Sequence, residues 1–565
     1  MEKDQDDKHI VDPVAELKPN EKEVHHSGKP SGRDETKSDP AKPEPEYEYI
    51  TGFKLWLVLA AVTLIVFLVM LDMSIIVTAI PRITSDFHSL PDVGWYGSAY
   101  LLACCPLQPL TGKLYTHLSS KIGSNLLYYT FLGFLGVFEL GSALCGAAHS
   151  STMLILGRAV AGLGSSGLSN GALTILSASA PMHKQPTMLG VMMGLGQIGI
   201  ICGPLIGGAL TQGASWRWCF YINLPIGAVA SIFLLAIHIP DRLDKKSTDK
   251  PTFLGILSKL DLTGSFLFAS FAVMVLLALE WGGIEYPWKS ATIIGLFCGG
   301  GSTFVVFAAW EYHVGERAMI PFSVVRKQAV WSSCLFAGFF FGSLLIFSYY
   351  LPIYFQAVKG ASPSLSGVYM LPGILSQMLM AVVSGMLVGK LGYYTPWAAA
   401  SAVLVAIAAG LISTFTPHTS TVKWVMYQFI GGLGRGCGIQ MPIIAIQNSL
   451  PPEQTSIGMA LVAFLQTFGG SLFLTFGQTI FSHGLSSGLQ EYARTADARA
   501  VIAAGATAFR QVVKPEQVMG ILQAYSMAIS YNFYLSAGAS AATFIVCWGM
   551  GWKKINKKKV TAPEV

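Results

Sequence analysis

The chain has 565 residues, 52% of them hydrophobic and only 12% charged, with a mean hydropathy of +0.52. Soluble domains carry about 25% charged residues, so a string of water-soluble domains is excluded and lipid is the solvent this composition fits. The formal net charge of +6 comes from basic residues scattered in short connections and at the C-terminus, which excludes a phosphate-binding stripe and a nucleic-acid partner.

Residues 1–52 are rich in Lys, Glu, Asp and Pro and contain KPEPEYEY. They hold no apolar core and read as a disordered cytoplasmic tail, not a cleaved signal peptide. Apolar windows of about 20 residues then predict fourteen spanning helices. They centre on 55–80, 95–115, 124–147, 152–178, 189–211, 217–239, 262–282, 290–311, 331–356, 365–389, 395–415, 423–447, 456–481 and 524–550. The fold class expected is an all-α integral membrane protein.

Lys and Arg usage sets the orientation. With the N-terminus inside, Lys113, Lys121, Lys184, Arg242, Lys245, Lys246, Lys250, Lys259, Arg317, Arg326, Lys327 and Lys390 fall in inner loops, as does the run Lys553–Lys559. The outer connections hold only Arg82, Arg217, Lys289, Lys359 and Lys423. Both termini are expected in the cytoplasm, which requires an even number of spans. Residues 483–523 then lie outside as a loop, with a helix-like section ARAVIAAGATAF.

The nine cysteines sit in or beside apolar stretches without a CxxC pair, so they read as packing residues and neither a zinc site nor a disulfide framework is expected. No GxxxxGK[ST] loop and no HExxH are present, which argues against ATP hydrolysis by that route and against a metalloenzyme. No metal, no cofactor and no enzymatic activity is expected.

Helix 5 carries Gly190, Gly199, Gly203, Pro204, Gly207 and Gly208. Glycines at this spacing form a groove for another backbone, and Pro204 removes a helix hydrogen bond; ordinary small-residue packing fits the same spacing. Gly112-Lys113-Leu114 ends the second helix and Gly389-Lys390-Leu391 the tenth, a short repeat of the kind expected if two homologous halves are separated by an inserted helix pair.

The text GVMMGLGQIGIICGPLIGGAL resembles the antiporter motif of major facilitator drug:proton exporters. LDMSIIVTAIPRI (71–83) resembles their first-helix motif, with Asp72 as its acid, and LILGRAVAGLG (154–164) their fourth-helix motif, with Arg158 as its arginine. WRWCFYINLPIG, ALEWGG and AMIPFSVVR are similar to segments of the fourteen-helix branch, in particular to fungal toxin and multidrug exporters. The likeness runs over about residues 50–552. It implies a major facilitator fold: a six-helix half at 53–240, a linker and inserted pair at 241–328, a second six-helix half at 329–552 with the outer loop 483–523, and a basic tail at 553–565. One departure stands out. The 2–3 loop reads GKLYTHLSSKIGSN, with Tyr115, Thr116 and His117 where the family has an acid, which puts a charge-locked inner gate there in doubt.

Ionisable groups inside apolar windows cost about 2.5–3.5 kcal/mol at the bilayer centre on insertion scales. Asp72, Glu139, Arg158 and Glu280 are the candidates for proton coupling, although Asp72 could equally pin helix 1, Arg158 could be a structural tie to a helix end and Glu280 could reach the outer interface. Gln197, Gln377, Gln440, Tyr349, Tyr350 and Arg435 are the candidates for lining a substrate cavity. For Arg435 a packing or inner-gate role competes with neutralising an anionic substrate, and for the helix-9 aromatics an interfacial belt competes.

The expected function is proton-coupled efflux of small organic compounds by a monomer in the lipid bilayer of the plasma membrane, with protons and the small-molecule substrate as its partners. Two alternatives stand beside it: an uptake or vacuolar facilitator for a siderophore or amino acid, and a non-transporting receptor or scaffold.

Overall fold

The computed structural model describes residues 52–555 except 89–91, 122–123, 236–259, 284, 495, 499, 503–508 and 511–512. The N-terminal tail, most of the linker after residue 235, much of the Ala-rich outer section and the last ten residues therefore lie outside the described residues.

Fourteen long helices account for most of the described residues. They are α1 (Phe53–Phe87), α2 (Val93–Lys121), α3 (Ser124–Gly146), α4 (Ser151–Ser179), α5 (Gln185–Gly213) and α6 (Trp218–Leu235, interrupted at Ile222). Then come α7 (Leu262–Trp281), α8 (Ala291–Val314), α9 (Gln328–Ile353), α10 (Pro363–Leu391) and α11 (Thr395–Ile412). The last three are α12 (Thr421–Ser449, with a turn at Ile439 and Gln440), α13 (Pro452–Tyr492) and α14 (Pro515–Cys547). Each predicted window has its helix. The expected outer loop shrinks from both sides: α13 continues to Tyr492 and α14 begins at Pro515, so the first ten and the last nine of residues 483–523 are helical.

Local chemistry sets the ends. Ser150, Asp261, Ser290 and Ser362 cap α4, α7, α8 and α10 by accepting from Met153, Gly264, Ile293 and Leu365 backbone N–H groups, which satisfies donors a helix start leaves free. Gly392 closes α10 at φ +82°, a conformation that favours glycine. Pro352 interrupts the hydrogen-bond ladder of α9, and the chain continues as a π-helical turn over Tyr354–Val358.

Twelve of the helices are long and apolar enough to cross a membrane, counted among the described residues. The two outside that set, α2 and α4, have 29 residues each, about 43 Å of helix, but are more polar. Their polar groups face one another: Asn170 of α4 donates to the Gln108 carbonyl and to Thr111 Oγ1 of α2, both at 2.7 Å. Side chains satisfied inside the bundle relax the need for a uniformly apolar surface.

The same pattern of neighbours occurs twice. In the first six helices α1 packs on α5 and α6, α2 on α4, and α3 on α4 and α6; in the last six α9 packs on α13 and α14, α10 on α12, and α11 on α12 and α14. The two sets meet through α2 with α13 and α5 with α10, pairs that exchange when the sets are swapped. Helices α7 and α8 pack on each other, and α7 packs against α2 and α13.

One end of the bundle gathers the basic positions. Lys113 donates to the carbonyls of Arg317 and Ala318, the Gly389 Cα faces the His183 carbonyl, and Ile555 donates to the Gly392 carbonyl at 2.8 Å. The two six-helix sets touch closely here. Gly112 lies against Ser456 and Ala460, Gly385 against the Pro186 carbonyl, and Thr174 is 3.2 Å from Ser456.

Candidate functional site

The ionisable residues of the first set converge. Asp72 of α1 and Arg158 of α4 form a fully buried ion pair at 2.6 Å. Arg158 Nε also donates to the Tyr96 carbonyl at 2.9 Å, and its guanidinium lies 4.5 Å from the centre of the Tyr100 ring. Asn223 of α6 donates to the other Asp72 oxygen at 3.0 Å and approaches Ser142 of α3 at 3.1 Å. One charge pair thus ties α1, α2, α3, α4 and α6 together, with every charged atom inside a low-dielectric interior.

Glu139 of α3 stands beside this network. Both its carboxyl oxygens are buried without a hydrogen-bond partner among the described residues. They face Gly227 of α6, where any side chain would collide with Oε1. A carboxylate enclosed without donors is uncompensated.

The glycines of α5 act on the other flank of α1. A Cβ on Gly199, Gly203 or Gly207 would strike α1 at Phe67 to Leu71, at the Ser74 side chain and Ile75 backbone, or at the Ile75 backbone and Thr78 side chain. Ser74 reinforces the contact by donating to the Gly199 carbonyl at 3.0 Å. Gly190 faces the Ala381 carbonyl of α10 instead, and Gly208 faces open space. Helix α1 is therefore held between the Asp72 network and a glycine track that allows close sliding contact. Pro204 is part of that helix, one residue after the closest approach.

The cavity candidates separate. Tyr350 is buried against Phe481 at 5.5 Å, while Tyr349 is 53% exposed and within electrostatic range of Glu280, an exposed residue near the end of α7. Tyr354 and Phe355 belong to a packed aromatic group with Phe415, Tyr369 and Trp424, so they form neither a belt nor an open cavity wall. Gln440 is wholly buried and engaged with the Ala381 carbonyl and Ser384, and Gln197 is half-buried on α5. Gln377 accepts from Arg435 Nε at 2.9 Å. Tyr115, standing where an acid was expected, is fully buried against Gly171 and Phe134.

Asn223, Ser142, Tyr96 and Tyr100 were not singled out in the sequence. Asn223 alone carried a signal, a polar amide between the apolar stretches of WRWCFYINLPIG. The other three act through a hydroxyl, a ring face or a backbone carbonyl, which no residue pattern reveals. No group of three or more His, Cys, Asp or Glu side chains able to hold a metal ion occurs among the described residues.

A helical membrane bundle with a doubled six-helix pattern and a charged network inside one half defines a secondary transporter, and this chain belongs to the Major Facilitator Superfamily, whose family model matches residues 62–474. It is 65% identical over 525 residues to the efflux pump mlcE of Penicillium citrinum, covering 92% of this chain and 94% of that one. It is 63% identical over 514 residues to the efflux pump mokI of Monascus pilosus, covering 90% and 93%. An MFS-type efflux pump of Trichophyton rubrum is 42% identical over 514 residues, covering 91% and 94%. Among solved structures, a double-tryptophan mutant of XylE superposes with a TM-score of 0.55 at 12% identity, covering 90% of this chain and 97% of that one. At that identity the match speaks for the fold alone.

Proposed function

We propose that this protein is a proton-coupled efflux transporter of small organic compounds, in which Glu139 takes up the proton and the Asp72–Arg158–Asn223 network passes its effect to α1. The observation that carries the coupling is the pair of buried, unpartnered Glu139 oxygens beside a closed ion pair. The similarity to fungal efflux pumps supports export.

In this reading α2 and α4 are spans, giving fourteen, and both termini lie in the cytoplasm. The halves are 53–240 and 329–552, with α7 and α8 inserted between them; the chain works as a monomer in the plasma membrane. The close contacts at the basic end then close the cytoplasmic side, so the transporter stands open to the outside. A proton arriving from outside neutralises Glu139, α1 shifts along the glycine track of α5, and the halves rock about the α2–α13 and α5–α10 seams. A membrane potential contributes about 2.3 kcal/mol per charge per 100 mV to such a cycle.

The test is accumulation of a fluorescent amphiphile in exporter-deficient yeast carrying the full chain, with and without a protonophore. Low accumulation that a protonophore or Glu139→Gln reverses is the expected result. Accumulation lowered by wild type but indifferent to the protonophore would sink the coupling, and accumulation raised above the empty strain would turn the reading to uptake.

A further inference from the structure

We propose that Arg435 is an anion-binding group of the transport cavity, so that the exported compounds carry a carboxylate or a comparably acidic group. This rests on the efflux reading above and names its substrate class.

Arg435 of α12 is 5% exposed. Its Nε donates to Gln377 Oε1 at 2.9 Å, and its guanidinium lies 4.6 Å from the centre of the Phe347 ring of α9. Nη1 is buried with no partner among the described residues. Gly373 and Gly431 place no side chain of their own against the two terminal nitrogens: a Cβ there would lie 3.1 Å from Nη2 and 3.4 Å from Nη1. The Oε1 atom of the adjacent Gln428 is likewise buried and unpartnered, an acceptor for a hydroxyl or amide of the same ligand.

Arg158 has Asp72; Arg435 has no counterpart acid. From Gln328 to Ile555 the carboxylates are Glu453, Glu491, Asp497 and Glu516, placed in the first turn of α13, at its end, in the segment after it, and in the first turn of α14. None forms an ion pair with Arg435 among the described residues. The fold does not need a cation here. The matching place in the first six helices is Ser165 of α4, which meets Cys104 of α2 as Arg435 meets Gln377 of α10. A guanidinium held in a membrane interior without a counter-charge is expensive, and a bound carboxylate supplies that charge with directed N–H···O bonds.

Inverted plasma-membrane vesicles from exporter-deficient yeast carrying the full chain test this. Carboxyfluorescein and rhodamine 123 share a xanthene frame and differ in charge, and accumulation of each is measured with and without an imposed inside-acid pH gradient. Wild type is expected to accumulate carboxyfluorescein. Arg435→Gln should lower the ratio of carboxyfluorescein to rhodamine 123 by about tenfold or more, and Arg435→Lys should restore part of it. If Arg435→Gln fails to reach the membrane, Gln377→Leu is measured, with the same ratio expected to fall. Wild-type vesicles that move neither dye or only the cation, or an Arg435→Gln ratio equal to wild type, overturn the proposal. Carboxyfluorescein accumulation that ignores the gradient keeps the anion site and overturns the coupling; gradient-driven movement of rhodamine 123 alone does the reverse.

Discussion

Arg158 of α4 and Gln428 of α12 hold the same place in the two six-helix sets. Arg158 Nε donates to the Tyr96 carbonyl of α2 at 2.9 Å, and Gln428 Nε2 donates to the Tyr369 carbonyl of α10 at 3.0 Å. The likeness extends around them. Gly162 faces the Tyr100 carbonyl as Gly432 faces the Gly373 carbonyl, and the Asp72–Asn223 contact between α1 and α6 has its partner in the Ser343–Ser536 contact between α9 and α14 at 2.6 Å. One set carries an ion pair where the other carries neutral groups, so the architecture itself does not require the charges.

That equivalence makes the ion pair testable. Asp72→Ala or Arg158→Ala alone leaves a buried charge without its partner and should destabilise the protein by about 3–5 kcal/mol. The double change Asp72→Ser with Arg158→Gln copies the second set and should recover most of that loss while abolishing proton-driven transport. Thermal unfolding of the purified chain in detergent, run beside vesicle transport, reads both. A double variant no more stable than the single ones would show that the pair is structural.

Glu139→Gln should behave differently. Its carboxyl oxygens make no hydrogen bond that the amide would break, so the unfolding midpoint should stay within the range of ordinary surface changes, about 0.5 kcal/mol. Transport should lose its dependence on the pH gradient. Unaltered gradient dependence in Glu139→Gln would remove Glu139 from the coupling.

How much of this was legible beforehand varies by residue. Each of the fourteen windows holds a helix among the described residues, and twelve of these are long and apolar enough to cross a membrane, because apolar length is a strong signal. The polarity of α2 and α4 reads as weakness in a sequence and is explained only when Asn170 meets Gln108 and Thr111. The short Gly-Lys-Leu repeat pointed to the correct helix pair but the wrong turn: by its neighbours Gly112 corresponds to Gly385, one turn before Gly389, since both face backbone across the seam at Ser456 and Pro186. Asp72, Glu139 and Arg158 were visible as charges in apolar windows. That the first and third are closed on each other while the second stands unpartnered is a matter of helix rotation, which composition does not carry.

The glycine track gives a prediction with its own control. Gly203 has Ser74 and Ile75 against it, whereas a Cβ on Gly208 meets nothing within 4 Å. Gly203→Ala should overpack the α1–α5 contact, costing about 1–3 kcal/mol, and should slow transport more than binding. Gly208→Ala should be close to wild type in both, although the sequence places it in the same motif. Equal effects from the two would show that the motif acts through backbone flexibility and not through the α1 contact.

Lys113 offers a last test, on the inserted pair. Its ammonium donates to the carbonyls of Arg317 and Ala318, the latter at 2.6 Å. The N–H groups of Met319 and Ile320 go to Asp261 and Glu311 at 3.2 and 2.8 Å, and Trp310 Nε1 adds a bond to Asp261 at 2.9 Å. The strand of backbone after α8 is thus clamped between a lysine of α2 and two carboxylates of α7 and α8. Lys113→Met keeps the apolar stem but leaves two carbonyls without a donor, an expected loss of about 1–3 kcal/mol. Because those bonds join α8 to α2, the loss should appear as faster trypsin cleavage after Arg317 and Arg326 in the folded protein, with the Asp72 network undisturbed. Cleavage at the wild-type rate would mean that the pair is held by the apolar contacts of α7 with α2 and α13 alone. Faster cleavage with normal transport would make the inserted pair a passenger of the rocking halves, and faster cleavage with impaired transport would make the Lys113 clamp the point through which it follows them.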